Sequence, residues 1–192
     1  MRISVVGSSG AGKTTTALRI AGALGVPHVE LDALFWGPDW TEASAEQLRE
    51  RVAAATAGDA WVIDGNYQSK LGTLVRDRAD LVVWLNPPRW RVMAQSLTRT
   101  VHRAATREEL WSGNRETWAG LLFWRRDSIL RWAWTTYGGT RDRYAAAMAA
   151  AAVPDAPDAP DAPDAPEGPV WRRLRTRRDV DLLVAELSRS RA

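Results

Sequence analysis

Eight consecutive residues, Gly7-Ser8-Ser9-Gly10-Ala11-Gly12-Lys13-Thr14, hold the densest chemistry in the chain. They satisfy the spacing Gly-x-x-x-x-Gly-Lys-Ser/Thr at every fixed position. Glycines there let successive backbone N–H groups turn inward, and such a nest holds an anion. A helix opening at Lys13 would add the partial positive charge of its N-terminus. Lys13 would then bridge the β- and γ-phosphates of a nucleoside triphosphate, and the Thr14 hydroxyl would ligate magnesium. A Gly-rich turn with no ligand is the alternative. Composition sharpens the choice, because Lys13 and Lys70 are the only lysines in a chain with 26 basic residues. A chain that writes arginine nearly everywhere keeps a compact ammonium at 13, where a planar guanidinium would not fit the turn in the same way.

Carboxylates come next. Asp64 closes the apolar run Trp61-Val62-Ile63, as an acid does that holds the water shell of a nucleotide-bound magnesium; an ordinary Asp-Gly turn is the other reading. Gly65 follows, where many ATP hydrolases carry a water-activating glutamate. The turn Gly65-Asn66-Tyr67 suits close approach of an acceptor molecule. Asp32, in Glu30-Leu31-Asp32-Ala33-Leu34-Phe35-Trp36, is expected at the end of a second strand, facing the ligand crevice. It could orient or deprotonate an acceptor hydroxyl, or cap a turn. Trp36 and Trp40 could line an acceptor pocket or simply pack. Arg99, Arg103, Arg107 and Arg115 recur across a helix and the loop after it. Mobile arginines can neutralise a phosphoryl group in transfer; a solvated helix face is the plain alternative.

The elements that must position these residues alternate between strand and helix, which argues an α/β domain with a parallel sheet. Strands are expected over Ile3–Val6, Val29–Leu31, Trp61–Ile63, Leu81–Leu85 and Val170–Leu174. A first helix spans about Lys13–Leu24, with Ala17, Ile20, Ala21 and Leu24 on one face. Ser44-x-x-Gln47 reads as a capping box opening a second, and Pro88 suits the first turn of another. From Arg89 to Ala152 the pattern is long, helical and rich in Arg and Trp, with a loop at Ser112-Gly113-Asn114 and an expected break at Gly138-Gly139. Four Pro-Asp-Ala repeats follow from Pro154. The stretch 153–169 reads as an extended, acidic linker interrupting a single domain over 1–192. Val180, Leu183, Val184 and Leu187 mark a closing helix.

Net charge is +3 and the sequence pI about 9.8. A basic balance could favour nucleic acid, but biased composition explains most of the arginines. There are no cysteines, which excludes disulfides and thiolate chemistry. The N-terminus reads as a strand rather than a leader, and no apolar run approaches the ~18 residues of a membrane span. A cytoplasmic protein without a membrane partner is expected, either monomer or homodimer.

Val6-Gly7-Ser8-Ser9-Gly10-Ala11-Gly12-Lys13-Thr14-Thr15, Glu30–Trp36, Trp61–Tyr67, Asp80–Leu85, Arg107–Glu116 and Asp127–Leu130 together resemble the adenylate-kinase-like and shikimate-kinase-like phosphate-binding-loop proteins. The nearest resemblance is to the bacterial group catalogued as DNA topology modulation, or adenylate-kinase-related, proteins. The resemblance implies a three-layer fold with a five-stranded parallel sheet, an acceptor-binding region near 32–58 and a helical lid near 104–135. It implies ATP and Mg2+ at Gly7–Thr15, Arg99 or Arg103 beside the nucleotide, and Arg175-Thr176 against adenine. Lys13, Asp32, Arg103 and Arg115 would be catalytic, Thr14 and Asp64 would serve the metal, and Trp36 with Gly65–Tyr67 would meet the acceptor. Asn66-Tyr67 stands where Phe-Pro-Arg is common in adenylate kinases, and the acidic repeat is extra. The expected function is ATP- and Mg-dependent phosphoryl transfer to a small-molecule acceptor. The alternative is an ATP-binding regulatory protein or weak ATPase, one affecting DNA topology for example. No Asn-Lys-x-Asp or Thr-Lys-x-Asp motif signals a guanine base.

Overall fold

Five strands form one parallel sheet. The computed structural model describes residues 1–116, 118, 128–152 and 168–190. Strand β1 (Arg2–Gly7) lies at the centre between β3 (Trp61–Asp64) and β4 (Leu81–Leu85), β2 (His28–Glu30) pairs β3, and β5 (Val170–Leu174) pairs β4. The helices are α1 (Lys13–Leu24), α2 (Leu31–Phe35), α3 (Ala45–Ala55), α4 (Gln68–Leu71), α5 (Arg89–Thr106), α6 (Ile129–Ala151) and α7 (Arg177–Arg189).

Strand residues alternate between two cores, because successive side chains leave opposite faces of a sheet. Ile3, Val5, Val62, Val83 and Leu85 pack with Ala17 and Ile20 of α1 and Leu183 and Leu187 of α7. Val6, Trp61, Ile63, Val82 and Trp84 pack with Phe35, Leu48, Val52 and Tyr144 on the other face. Three layers result, helix–sheet–helix, and a sheet covered on both faces has near-continuous apolar strands. All four residues of β3 and all five of β4 are buried.

Two local expectations meet corrections. The second strand ends at Glu30, so Asp32 lies in the first turn of the short helix α2 and not at a strand end. Leu31 and Phe35 are buried there at helical i,i+4 spacing, and that packing decides against extending the strand. Gly138-Gly139 breaks nothing: α6 runs through both, because Ala133, Tyr137, Thr140 and Tyr144 bury one continuous stripe. The loss of about 1 kcal/mol per helical glycine is outweighed by that burial. The loop expected at Ser112-Gly113-Asn114 is present and includes a tight turn, Trp111–Gly113. Within the expected lid, residue 117 and residues 119–127 lie outside the described residues, as do 153–167 of the expected linker. No described helix is long and apolar enough to cross a membrane.

Candidate functional site

The loop between β1 and α1 is shaped by what surrounds it. Gly7, Gly10 and Gly12 have φ of 149°, 82° and 90°, a region that L side chains rarely adopt. A Cβ on Gly7 would strike the Leu85 carbonyl, and one on Gly10 would strike Ser96 Oγ and the Val92 carbonyl of α5. A Cβ on Gly12 would meet nothing; that glycine serves the left-handed N-cap of α1. Ala11 N–H donates to the Ser8 carbonyl (3.1 Å), and Lys13 Nζ reaches the same carbonyl at 3.2 Å. Burial pushes the Lys13 pKa below its ordinary 10.5; Asp32, Asp64 and Glu30 oppose this and Arg99 adds to it. A partly desolvated ammonium held among carboxylates is primed to accept an anionic ligand.

The carboxylates gather at the strand ends next to this loop. Thr14 Oγ1 donates to Asp64 Oδ1 (3.1 Å) and approaches Glu30 Oε1 (3.4 Å). The other oxygen of the buried Asp64 carboxylate hydrogen-bonds His28 Nε2 at 2.7 Å. Glu30 Oε2 accepts from Trp111 Nε1 at 2.9 Å. Burial raises the Glu30 pKa; the Trp111 bond works against it, and Asp64 and Asp32 raise it further. Asp32 Oδ1 accepts from the Tyr67 hydroxyl at 2.6 Å. Burial and the Asp32 charge push the Tyr67 pKa far up, so the phenol remains a donor.

The turn after β3 does two jobs. Gly65 has φ 142°, and a Cβ there would press into Leu31. Asn66 turns inward: its Oδ1 accepts from Gly7 N–H (3.2 Å) and from the Tyr144 hydroxyl (2.9 Å), while its Nδ2 donates to the Gly7 carbonyl. The Asn66 amide thus completes the hydrogen bonding of the residue that opens the loop.

The arginines divide. Arg99 lies on α5 with its Nε buried and without a hydrogen-bond partner among the described residues. Burial lowers its pKa, Arg103 adds to that, and Glu116, Asp32 and Glu30 oppose it. A buried guanidinium N–H without a partner can donate to an anion. Arg103 Nη1 donates to Glu116 Oε1 at 3.0 Å, and its Nε is 3.7 Å from Glu108 Oε2. Arg115 is exposed and pairs Glu109 at 3.5 Å, so it is not brought to the carboxylate cluster. Arg175 and Thr176 precede α7: their N–H groups donate to Asp179 Oδ2, and Thr176 Oγ1 accepts from Asp179 N–H. The Thr176 hydroxyl is therefore engaged as a helix cap. Ser8, Ser9 and Thr15 lie in the loop and the first turn, as their numbering requires.

Aromatic rings form an arc beside the carboxylates. Phe35 contacts Tyr67 (centroids 4.5 Å) and Trp36 (4.7 Å); Trp36 contacts Trp40 (5.5 Å), and Trp40 contacts Trp111 (6.5 Å). Asn114 closes the arc, accepting from Trp40 N–H and donating to the carbonyls of Gly37 and Trp111. Ser112 Oγ donates to the Trp36 carbonyl. The 111–114 loop is thereby docked on the 36–41 loop. Asp39, Trp40 and Ser112 have φ of 54°, 56° and 57°, so backbone strain sits where the two loops meet.

Glu30, His28, Trp111, Asn114 and Ser96 belong to this neighbourhood, yet the sequence reading assigns them no role. An acid ending β2 was a signal for Glu30. Trp111 lies 81 residues from its partner Glu30, a separation no local pattern reveals.

The sequence model of the AAA family, ATPases associated with various cellular activities, matches residues 3–64. That span runs from β1 through Asp64. Cytidylate kinases of Nitratidesulfovibrio vulgaris, strains DP4 and Hildenborough, are each 40% identical over 57 residues. The alignment covers 27% of this chain and 25% of theirs, so the chain matches about a quarter of the length of these curated relatives. A gluconokinase from Sinorhizobium meliloti 1021 superposes with a TM-score of 0.48 at 16% identity, over 98% of this chain and 94% of that one.

Proposed function

We propose that this protein is an ATP- and magnesium-dependent phosphotransferase acting on a small-molecule hydroxyl acceptor. One observation carries the reading. A glycine-shaped anion nest, with Lys13 and an Arg99 Nε that is buried without a partner among the described residues, adjoins carboxylates that reach Thr14 on one side and an acceptor-side tyrosine on the other. The AAA match over residues 3–64 supports nucleotide binding, and the partial likeness to cytidylate kinases supports phosphoryl transfer.

The residues present fit the triphosphate and its metal. The nest and the N-terminus of α1 would take the β-phosphate, Lys13 the β- and γ-phosphates, and Arg99 the transferring group. Thr14 Oγ1 would ligate magnesium, with Asp64 holding its water shell. Magnesium, when bound, would neutralise phosphate charge. Asp32 would accept the acceptor's proton, with Tyr67 fixing one carboxylate oxygen and leaving the other to face the hydroxyl. The acceptor oxygen forms a bond to the γ-phosphorus. The bond to the β,γ-bridging oxygen breaks, ADP leaves with its electron pair, and the proton passes to Asp32. Arg103 and Arg115 would keep their pairs with Glu116 and Glu109 in this step. Trp36 would border the acceptor, and Arg175 the base.

The test follows the γ-phosphate. With γ-labelled ATP, magnesium and pooled acceptors, label is expected in an organic product and is expected to vanish in Lys13→Ala. Tight ATP binding with label appearing only in inorganic phosphate would favour a nucleotide-dependent regulatory role instead.

A further inference from the structure

We infer that the phosphoryl acceptor is an uncharged or amine-bearing alcohol with a flat or apolar ring face, and not a phosphorylated or carboxylated one. The inference rests on the kinase reading and concerns the acceptor half of the same site.

Charge is the first argument. The cations nearest the phosphate nest, Lys13 and Arg99, are the ones a triphosphate would consume. Beyond them, four cations hold partners within the protein. Lys70 Nζ is 3.1 Å from Glu42 Oε2 and lies over the Phe35 ring at 4.7 Å. Arg51 Nη1 donates to the Leu34 carbonyl at 2.7 Å. Arg103 is bonded to Glu116, and Arg115 to Glu109. The charged groups bordering the aromatic arc are instead the carboxylates of Asp32 and Glu30, bonded to Tyr67 and Trp111. A phosphate or carboxylate brought among these groups, next to a bound triphosphate, would meet like charge, while Lys70 is held by Glu42 and Arg51 by the Leu34 carbonyl. Like charges set together in this way are strongly disfavoured.

Shape is the second argument. Asp32 and Glu30 are each anchored by one end of the aromatic arc, Asp32 by the Tyr67 hydroxyl and Glu30 by the Trp111 indole N–H. Between those ends stand Phe35, Trp36 and Trp40, in edge-to-face and tilted contact. Trp36 and Trp111 are half-buried and Trp40 is exposed. Ring faces bordered by carboxylates recognise flat apolar surfaces and cations, through stacking and attraction to the aromatic quadrupole. In the transfer step the acceptor hydroxyl oxygen bonds to the γ-phosphorus, ADP leaves, and the hydroxyl proton goes to Asp32. An amine elsewhere on the acceptor would stay protonated beside Glu30 and take no part.

The experiment pairs acceptor pools by charge. Full-length protein with γ-labelled ATP and magnesium is offered nucleosides against nucleoside monophosphates. Uncharged sugars, aminosugars and amino alcohols are offered against sugar phosphates and hydroxy acids. Label is expected to enter an uncharged or amine-bearing product at least about tenfold faster than any anionic one. Equal or faster labelling of an anionic acceptor overturns this inference and leaves the kinase reading standing. No organic product from any pool overturns the kinase reading, and the inference with it. A Trp40→Ala variant, which removes an exposed ring whose ring contacts are with Trp36 and Trp111, is expected to raise KM for the labelled acceptor about tenfold with KM for ATP unchanged. An unchanged acceptor KM would overturn the aromatic half of the argument.

Discussion

At the residue scale, Asn66 best separates chemistry from support. The sequence reading sets it against an acceptor; its amide instead spans both polar groups of Gly7 and the Tyr144 hydroxyl. An asparagine can do this because one planar group carries a donor and an acceptor. Replacing it with alanine strands the Gly7 N–H, the Gly7 carbonyl and a buried tyrosine hydroxyl together. Such groups cost about 1–3 kcal/mol each when unmet, although water will recover part of that. Asn66→Ala is therefore expected to lower stability by about 2–3 kcal/mol, a fall of roughly 5–10 °C in Tm for a chain of this size. It should also weaken ATP, because the first residue of the nest loses its hold. Tyr144→Phe removes one bond and should cost about 1 kcal/mol. Calorimetry on the single and double variants checks this. A double variant no worse than Asn66→Ala is the expected signature of one shared network.

At the element scale, local rules made much of the fold legible. The Gly-rich loop between an apolar strand and an amphipathic helix fixed α1, and Ser44 with Gln47 forms the capping box that opens α3. Where the sequence misleads, tertiary packing overrides a local cue: Leu31 and Phe35 turn the end of β2 into a helix, and Tyr137 with Tyr144 carries α6 across two glycines. The site was half legible for the same reason. Gly7–Thr14 and Asp64 declare themselves by spacing, whereas the Trp111–Glu30 and Asn66–Gly7 bonds join distant segments. The start of β1 offers a pH test of an element. Asp80 accepts from the Arg2 backbone N–H at 2.7 Å and from its guanidinium at 2.6 Å. Partial burial pushes the Asp80 pKa up, but these bonds and the Arg2 charge outweigh it and hold it below 3.8. A folded pKa below the unfolded one means stability present above pH 3.8 and lost as pH falls through the folded value. Both side chains are substantially exposed, so solvent screening keeps the effect to about 1 kcal/mol or less. Asp80→Asn should lower Tm by about 1–4 °C at pH 7 and by less at pH 3. An equal loss at both pH values would assign the effect to packing.

At the scale of the whole molecule, β5 completes the sheet from the far side of the acidic repeat. It pairs with β4 in full register from Leu81↔Val170 to Leu85↔Leu174. Val170 is nonetheless exposed, and of the five residues of β5 only Leu174 is buried. Such an edge strand is held by its ladder, by the Arg173 guanidinium 4.6 Å over the Trp84 ring, and by α7 packing on α1. None of those contacts requires a particular loop length between Ala151 and Val170. Loop-closure entropy varies slowly with length, about 0.6 kcal/mol per doubling. Deleting two of the four Pro-Asp-Ala repeats should therefore leave the fold intact and raise Tm by no more than about 2 °C. It should also leave ATP-induced stabilisation unchanged, about 2.7 kcal/mol at a hundredfold excess over Kd. Thermal unfolding of both chains, with and without MgATP, checks the two expectations separately. A large fall in Tm without nucleotide would mean that the repeat packs on the sheet edge. An unchanged Tm with lost ATP stabilisation would place the repeat in communication with the nucleotide half of the site, and a tolerated insertion would become a regulatory one.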